Sequence, residues 1–460
     1  MRDEFESLSP VDYRYWDKEA AAYLSENAFT RAKLEVELAL VRTLCRRDLC
    51  PSPVLTEIMN ACDKVTTADV YEEEKRIGHD IRALVNCIRK HVSAEAKPFV
   101  HLTATSYDIV DTANASRYRK VVQDVLLPSL VALENVLIEL ALREADTAQV
   151  GRTHGQHAVP ITFGFAIAGY VSRLGGCIVQ LVALAKALTG KFSGAVGAYN
   201  ASSLFVKDPE EFESAVLGEV GVHPAEHSTQ IVPPEALVRL LSEMIVAGGV
   251  MANLADDMRH LQRSEIDEVR ESFGKEQVGS STMPQKRNPI SFEQVKSLWK
   301  TVLPRIQTVY MDQLSEHQRD LTNSASSRTY GEIIIYAVFM AKKLAKAMKG
   351  LSVQRENVER NMAMSQGMIV AEPLHLILAS LGHPNSHEKV LALTRKAQDE
   401  RRPLEHVAAD DAELESYYDR MPEEQRQVLL DPSRYIGIAA KKARTVATRW
   451  QQTLAIMKFH

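Results

Sequence analysis

The chain has 460 residues, of which 45% are hydrophobic and 25% charged, and its formal net charge is −5 at pH 7. This composition is ordinary for a soluble globular protein, and the negative balance gives no electrostatic reason to expect nucleic-acid binding. The five cysteines form no C-x-x-C pair, so they predict buried thiols in a reducing compartment and exclude a disulfide or zinc framework.

The beginning of the chain and its apolar runs predict a cytoplasmic protein that binds no membrane. The residues that follow Met1 are acidic and polar, unlike those of a signal peptide. The longest uninterrupted apolar run covers residues 333–341, which is far shorter than the roughly 20 residues needed to cross a bilayer. We therefore expect neither a leader sequence nor a transmembrane segment.

The first third of the chain has the periodicity of helices. Apolar residues recur three and four apart in three segments, 19–49, 53–65 and 70–92. The last segment runs through Gly78, His79 and Asp80, which places these residues on a predicted helix. Residues 98–108 break that helix and begin the next, because Thr105 and its polar neighbours are typical of helix starts. Capping alone explains such residues, but a helix start also presents free N–H groups to anions.

The middle third consists almost entirely of long predicted helices, which cover 116–146, 163–188 and 235–263. Apolar residues in the last helix alternate three and four apart, as in a coiled-coil seam: Met244, Ala247, Met251, Leu254, Met258 and Leu261. Helices of this length bury more surface in a bundle, and we expect several chains to share it. No segment shows sustained period-two alternation, so the predicted fold is all-α.

Irregular segments separate these helices. Residues 149–160 carry two histidines between glycine and proline, which predicts a loop, and residues 193–198 form a glycine-rich turn. A polar segment, 317–328, contains two arginines nine apart, and shorter, more charged helices follow from about Ser365. These changes predict three helical domains, 1–111, 112–364 and 365–460, of which the central one is the long-helix bundle.

The polar loops suit proton transfer on an anionic substrate. The sequence contains no H-E-x-x-H, P-loop, G-x-G-x-x-G or G-x-S-x-G, which disfavours zinc, nucleotide-triphosphate, dinucleotide and serine-hydrolase chemistry. The remaining His, Ser, Lys, Asn, Arg and Thr side chains can transfer protons without a cofactor or metal. Removing a proton next to a carboxylate needs a base, cations or donors around the carboxylate oxygens, and an acid for the leaving group.

The segment 279–289, Gly-Ser-Ser-Thr-Met-Pro-Gln-Lys-Arg-Asn-Pro, is the most specific in the chain. Lys286 and Asn288 are the kinds of donor that stabilise a developing carboxylate charge. Ser280 can serve as the base only if water is excluded and cations or N–H groups are aimed at its oxygen. Taken without its order, the segment also fits a mobile basic surface turn.

His154 is the natural proton donor if a carboxylate fixes its ring, and Glu293 is the candidate. Taken singly, such residues are weak signals. A lone loop histidine is more often structural than catalytic, and Arg319 and Arg328 also fit simple pairing with surface acids. Their joint presence in one order is what favours a catalytic site.

In this order the segments resemble the adenylosuccinate lyases, a family of the fumarase/aspartase superfamily, over nearly the whole chain from about Ser9. Segment 279–289 is similar to the superfamily's signature loop, G-S-S-x-M-P-x-K-x-N. The other matching pieces are Ser9-Pro10-x-Asp12-x-Arg14-Tyr15, His79-Asp80, His101-x-x-x-Thr105-Ser106-x-Asp108, Gly151-Arg152-Thr153-His154-Gly155-Gln156-His157, Ser193-Gly194-Ala195-Val196-Gly197, Gln230, and Arg319-Asp320-Leu321-Thr322-Asn323-Ser324 with Arg328.

The resemblance implies elimination of fumarate from adenylosuccinate to give AMP, and the same reaction on the succinyl-carboxamide ribotide of purine biosynthesis. It makes Ser280 the general base and His154 the general acid, supported by Glu293, with Lys286 and His79 in the catalytic set. It also implies a homotetramer in which the central helices bring the loops of three subunits together at each site. No cofactor or metal is implied.

The resemblance assigns the other residues to the substrate. Asn288, with Lys286, would hold the succinyl carboxylates. The remaining succinyl contacts would be Thr105, Ser106, Gln230 and Ser281. The nucleotide and its phosphate would contact Arg14, Tyr15, Arg319, Ser324 and Arg328, while Asp80 and His101 would line the same pocket beside His79. Convergent arginines agree with the multidentate donors of a guanidinium.

The sequence departs from the family pattern at four places: Thr103 replaces the usual Gly, Gln285 a His or Tyr, Gly78 a larger polar residue, and Pro233-Pro234-Glu235 an Arg–acid pair. None removes a catalytic group, but the missing arginine bears on substrate identity. Two alternatives stay open: a paralogue that eliminates a fumarate-like acid from another amine, and a non-catalytic homologue. The intact catalytic and arginine positions favour the nucleotide lyase.

Overall fold

The computed structural model describes residues 4–7, 12–274, 276 and 278–457, and most of these residues are helical. Ser9 and Pro10 of the N-terminal motif lie outside the described residues. The only strands in the described part of the chain form three two-stranded sheets. The all-α prediction is confirmed, with these short sheets as additions.

The N-terminal helices are α1 (Asp12–Tyr15), α2 (Lys18–Leu24), α3 (Glu26–Arg46), α4 (Ser52–Cys62), α5 (Thr67–Ile77) and α6 (Asp80–Arg89). The predicted helix through Gly78 is wrong. Gly78 has φ of 72°, a left-handed conformation that ends α5 and that glycine adopts without strain. His79 then begins α6, since its Nδ1 accepts the Arg82 N–H at 3.3 Å.

The central helices are α7 (Ser106–Val121), α8 (Leu127–Arg143), α9 (Phe163–Lys186), α10 (Pro209–Glu219), α11 (Glu235–Leu261), α12 (Ile290–Val302), α13 (Arg305–Met311) and α14 (Tyr330–Lys349). The three long predicted helices are confirmed as α8, α9 and α11, although the first continues from α7 through a π-helical turn, Val122–Leu126. Pro128 explains this turn, because it has no N–H to continue the α-helical ladder.

The C-terminal helices are α15 (Arg355–Ala363), α16 (Ala371–Ser380), α17 (Ser386–Glu400), α18 (Leu404–Ala409), α19 (Glu415–Arg420), α20 (Glu423–Leu430) and α21 (Ala439–Ile456). Apolar residues between Val370 and Leu429 form a core of their own. Helix α21 instead packs on α8 and α9, where a Cβ at Gly175 would lie 2.5 Å from the Trp450 ring. The predicted domain boundaries stay a prediction.

The core of the molecule is the packing of α8, α9, α11, α12 and α14 on one another. Most of the predicted seam on α11 is buried inside this bundle, including Met244, Met251 and Met258. Four of the five cysteines are also buried, and all five are free thiols, as predicted. The bundle therefore forms the rigid frame on which the polar loops are mounted.

The strands are β1 (Ala148–Thr153), β2 (Gln156–Thr162), β3 (Thr189–Gly190), β4 (His223–Pro224), β5 (Val269–Arg270) and β6 (Ser352–Val353). The predicted loop at 149–160 is wrong, because β1 and β2 form an antiparallel hairpin. Its two-residue turn is His154-Gly155, with φ of 54° and 74°, the left-handed pair that tight hairpins require. At the bulge, a Cβ on Gly151 would lie 2.5 Å from the Val159 carbonyl oxygen.

Three helical segments are long and apolar enough to cross a membrane by length and composition alone: Ser106–Arg143, Phe163–Lys186 and Glu235–Leu261. Only 50–61% of their most apolar windows is buried inside this chain. Phe165, Val179 and Val246 are exposed apolar side chains on two of these helices. The expectation that the protein binds no membrane stays a prediction.

Candidate active site

The predicted site residues fall into three groups, and the largest surrounds the starts of α6 and α7. Ser106 Oγ lies 3.5 Å from His79 Nε2, and His79 Nδ1 lies 3.5 Å from an Asp80 carboxylate oxygen. The Thr105 N–H donates to Asp108 Oδ2 at 2.8 Å, which fixes the first turn of α7. We call His79, Asp80, Thr105 and Ser106, together with the predicted site residues that the contacts below hold against them, the helix-start group.

A buried ion pair fixes the first turn of α7, which carries part of the helix-start group. Asp108 and Lys191 are both fully buried and pair directly. Lys191 is followed by the turn 193–198, in which Gly197 has φ of 78°. Gly197 approaches segment 228–230 so closely that a Cβ on it would lie 1.9 Å from the Ser228 carbonyl oxygen. The glycine-rich turn therefore positions the segment that carries the predicted substrate residue Gln230.

Asp111 and Tyr107 on α7 hold two further predicted segments against the helix-start group. The Val232 N–H donates to Asp111 Oδ2 at 2.9 Å, and the Gln230 N–H donates at 3.4 Å to the carbonyl of the residue before Arg319. The Arg319 guanidinium lies 4.0 Å from the centre of the Tyr107 ring and donates to its hydroxyl. Burial raises the pKa of Asp111 to about 6, although the Val232 N–H favours its ionised form.

Helix α3 supplies carboxylates to two predicted substrate residues. His101 Nδ1 lies 2.6 Å from the fully buried carboxylate of Glu37. Burial lowers the pKa of His101, but the charge and hydrogen bond of Glu37 outweigh it, so the pKa lies above its usual value. Arg328 pairs with Glu26 at 3.4 Å, and the Tyr71 hydroxyl donates to the other Glu26 oxygen at 3.0 Å.

The turn between His101 and α7 is strained at the position where the family commonly has glycine. Thr103 has φ of 69°, a left-handed conformation that is unfavourable for a β-branched residue. Its hydroxyl oxygen is buried and has no hydrogen-bond partner among the described residues. The departure at Thr103 therefore carries a conformational cost beside the predicted pocket.

Three other predicted substrate residues, Tyr15, Arg14 and Ser324, lie outside the helix-start group. Tyr15 packs edge-on against Phe339, with ring centres 5.1 Å apart. Arg14 at the end of α1 and Ser324 in the segment before α14 are exposed. Within the described ranges, no hydrogen bond or ion pair joins the side chains of Arg14 and Ser324 to the other predicted site residues.

The second group is His154 alone, which is exposed at the tip of the β1–β2 hairpin. The base of this hairpin is fixed by Glu268, which is fully buried and accepts two bonds from Arg152, at 2.6 and 3.2 Å. Gln149 and Asn361 donate to the same carboxylate at 2.6 and 2.9 Å. A satisfied buried carboxylate of this kind holds the hairpin rigid while its tip projects.

The third group is the signature loop, residues 279–289. Ser280 Oγ accepts the backbone N–H groups of Met283 and Thr282 at 3.0 and 3.3 Å. Asn288 Nδ2 donates to the Gly279 carbonyl at 2.8 Å and so closes the loop. The N–H groups aimed at Ser280 would stabilise a negative charge on its oxygen, which is one of the two conditions for a serine base.

Ser281 and Lys286 of this loop are exposed, and so is Glu293, which follows the loop on α12. In the described part of the chain, the side chains of Lys286 and Glu293 have no hydrogen-bond or ion-pair partner, and no such bond joins any two of the three groups. The predicted pairing of His154 with Glu293 is therefore not made within one chain. No cluster of three or more metal-ligating side chains occurs among the described residues, and the expectation of no metal stays a prediction.

Several residues that support the site were not predicted from the sequence: Glu26, Glu37, Tyr107, Asp111 and Glu268. Each is a polar side chain whose partner is distant in sequence; Glu37 and His101, for example, are 64 residues apart. The spacing of Glu26 and Glu37 on one face of α3 is the only local signal, and it does not identify their partners.

Two family models match the chain, one after the other. Residues 4–303 match the model described as Lyase, and residues 315–436 match the model described as Adenylosuccinate lyase C-terminal. The chain is 35% identical to the adenylosuccinate lyase of Pyrococcus horikoshii over 96% of this chain and 97% of that protein. The chain belongs to the adenylosuccinate lyase family.

Other relatives show how widely this family's superfamily shares the fold. The N-acetyl-S-(2-succino)cysteine lyase of Enterococcus italicus is 28% identical over 94% of both chains. The crystal structure of the 3-carboxy-cis,cis-muconate lactonizing enzyme from Pseudomonas putida superposes with a TM-score of 0.87, at 26% identity, over 96% of this chain and 99% of that one. Similarity of fold alone therefore does not fix the substrate of a family member.

Proposed function

We propose that this chain eliminates fumarate from adenylosuccinate to give AMP, and from the succinyl-carboxamide ribotide of purine biosynthesis. The observation that carries the proposal is the signature loop, in which two backbone N–H groups point at Ser280 Oγ while Lys286 and Asn288 lie on the same segment. Full-length similarity to adenylosuccinate lyases supports the choice of substrate.

The proposed reaction is general acid–base catalysis without a cofactor. Ser280, as the alkoxide, removes a proton from the succinyl CH2 carbon, and the charge spreads onto the oxygens of the carboxylate on that carbon, which Lys286 and Asn288 hold. His154 protonates the leaving nitrogen as the carbon–nitrogen bond breaks. Fumarate and AMP are released, Ser280 gives its proton to solvent, and His154 takes a proton from solvent, which restores both groups.

The helix-start group would hold the rest of the substrate. Thr105 and Ser106 stand where α7 begins, and Asp111 on the same helix binds Val232, two residues after Gln230. Free N–H groups at a helix start favour an anionic ligand. Arg319 is oriented there by Tyr107, and Arg328 by Glu26. These guanidinium groups are suited to a phosphate.

We propose further that the complete site is shared between the subunits of a homotetramer. The separation of the three groups within one chain supports this, because the proposed acid and base must reach the same substrate. The exposed apolar side chains Phe165, Val179 and Val246 on α9 and α11 also support it, since apolar surface on bundle helices favours association. A cytoplasmic location is part of the same proposal.

A second candidate is elimination of fumarate from a different succinylated compound. The relative from Enterococcus italicus is named for a succinylated thiol, and Pro233-Pro234 stands where an Arg–acid pair is usual. These prolines follow Val232, which Asp111 holds beside Gln230. A change at this wall would alter the leaving group that fits while the succinyl half stays the same.

Steady-state release of fumarate from adenylosuccinate tests the proposal. We expect Ser280→Ala and His154→Ala each to lower kcat by about 10²–10⁴-fold, the range for acid–base residues. Ser416→Ala and His91→Ala, at exposed positions away from the three groups, serve as matched controls and should retain activity. Full activity of Ser280→Ala would refute the base assignment, and turnover of succinylated thiols alone would favour the second candidate.

A further inference from the structure

Lys33 on α3 is a buried lysine with no ionic partner. Its side chain lies almost wholly inside the molecule at 5% exposure, which is rare for lysine. Among the described residues it makes no hydrogen bond or ion pair. Its Nζ instead makes a cation–π contact with the Phe29 ring, whose centre lies 4.4 Å away.

Lys191, the other buried lysine of the described chain, shows what a structural lysine looks like in this fold. It is 0% exposed, pairs directly with Asp108, and donates to the Gly194 carbonyl at 3.0 Å. Its charge is thus compensated by the protein itself. Lys33 has no direct partner of this kind, and its neighbour on the Phe29 ring is a second cation, Arg117, at 4.1 Å.

Of the carboxylates whose charges act on Lys33, Glu26 is engaged elsewhere, because it pairs with Arg328 and accepts from Tyr71. Asp80 is half-exposed and forms no ion pair with Lys33 among the described residues. Burial lowers the pKa of Lys33 and the charge of Arg117 adds to this, while the carboxylates of Asp80, Glu26 and Glu74 act in the opposite direction. A buried cation held in this way is stabilised by any anion that enters the site.

The position of Lys33 places it between two proposed substrate contacts. Glu26, Lys33 and Glu37 follow one another along one side of α3, seven and four residues apart, a spacing that keeps them on one helix face. Glu26 binds Arg328 at one end of this row, and Glu37 binds His101 at the other. Lys33 therefore lies in the same wall as both, and the charge of Asp80 reaches it.

We propose that Lys33 is a further substrate-binding residue, whose ammonium group pairs with an anionic oxygen group of the substrate in the wall formed by α3, α6 and α7. This inference rests on the proposed function, because it takes His101, Asp80 and Arg328 as residues of the substrate pocket. Two groups of adenylosuccinate have the required chemistry, the phosphate and the succinyl carboxylates.

The test compares Lys33→Met, which keeps the length and loses the charge, with Lys33→Arg, which keeps the charge. We expect Lys33→Met to raise KM for adenylosuccinate at least tenfold with a smaller change in kcat, and Lys33→Arg to recover part of this. Product inhibition separates the two anions. Lys33→Met should weaken inhibition by AMP at least tenfold if the phosphate is the partner, and inhibition by fumarate if the carboxylates are.

Stability separates binding from a structural role. Lys33→Met should leave Tm unchanged or higher, because it removes an uncompensated charge, whereas Lys191→Met should lower Tm by leaving Asp108 unpaired. KM and both inhibition constants within twofold of wild type would overturn the proposal, as would a lower Tm with equal weakening of both products. If Lys33→Met does not fold, that failure also assigns a structural role and overturns it.

Failure of the proposed function is read separately, from the wild-type protein. If the wild type releases no fumarate from adenylosuccinate, the shift in Tm produced by AMP and by fumarate is compared between wild type and Lys33→Met. Loss of one ligand's shift in Lys33→Met supports the lysine contact independently of turnover. Absence of any shift in the wild type, or equal shifts in both proteins, overturns it.

Discussion

Replacement of Glu134 by glutamine should change how the stability of the protein depends on pH. Glu134 lies in the middle of α8, fully buried, and neither carboxyl oxygen has a hydrogen-bond partner among the described residues. Burial raises its pKa from 4.5 to about 9. The folded protein therefore keeps a proton on Glu134 at neutral pH, where an unfolded chain has lost it.

The direction and size follow from proton binding. Between pH 4.5 and about 9 the folded state binds more protons at Glu134 than the unfolded state, so this group makes the free energy of unfolding fall as pH rises. Below pH 4.5 both states are protonated, and above about 9 the loss levels off. Each pH unit is worth about 1.4 kcal/mol, which gives a loss of about 3 kcal/mol between pH 5 and 7.5.

Thermal unfolding over a series of pH values, at one protein concentration, measures the effect. Glu134→Gln cannot lose a proton, so its stability relative to wild type should rise steadily from pH 5 to pH 8. Glu139→Gln, at an exposed position on the same helix, is the matched control and should follow the wild type at every pH. A constant difference between Glu134→Gln and wild type across this range would refute the reasoning.

Three further substitutions test the frame of the site, each by thermal or chemical unfolding. Thr103→Gly should stabilise the protein by about 1 kcal/mol, because it relieves a left-handed β-branched residue; a loss of stability would contradict the strain. Gly197→Ala should destabilise far more than Gly194→Ala, since both have positive φ but only a Cβ at 197 meets a backbone oxygen at 1.9 Å; equal losses would show that this contact relaxes. Glu268→Ala should lower the free energy of unfolding by about 3 kcal/mol, because it leaves Arg152 unpaired, and should lower kcat by loosening the His154 hairpin. The exposed control Glu265→Ala should do neither. An active, equally stable Glu268→Ala would refute the anchoring role.

The long helices could be predicted from the sequence because their apolar spacing repeats over many turns. Helices α9 and α11 begin and end within about two residues of the predicted positions, since Thr162 caps one and Pro234 precedes the other. The break at Gly78 was missed because the apolar pattern continues across it. There, one glycine in a left-handed conformation outweighs a continuous periodicity.

The hairpin that carries His154 was not predicted, because its composition is unusual for strands. Gly151 and Pro160 interrupt the alternation expected of strands, and a His-Gly turn is not the usual Asn-Gly signal. The structure shows why these residues fit: Gly151 occupies a bulge against Val159. A pattern in one strand does not reveal such a contact, because it depends on the partner strand.

The predicted site residues themselves came from order and resemblance, and their supporting carboxylates could not be found in the same way. Arg152 and Glu268 are 116 residues apart, and Arg328 and Glu26 are 302 apart. Such pairs are formed by the folded backbone and leave no local signal. Which carboxylate pairs with which site residue depends on tertiary packing, and this could not be predicted from the sequence.

The proposal of a shared lyase site is tested most directly by mixing two inactive variants. Ser280→Ala and His154→Ala are purified separately, unfolded and refolded together, and assayed for fumarate release from adenylosuccinate. If Ser280 and His154 act on one substrate from different chains, mixed oligomers contain some intact sites, and activity should return well above that of either variant refolded alone. Activity that stays at the level of the separate variants, in oligomers shown to contain both chains, would contradict the shared site.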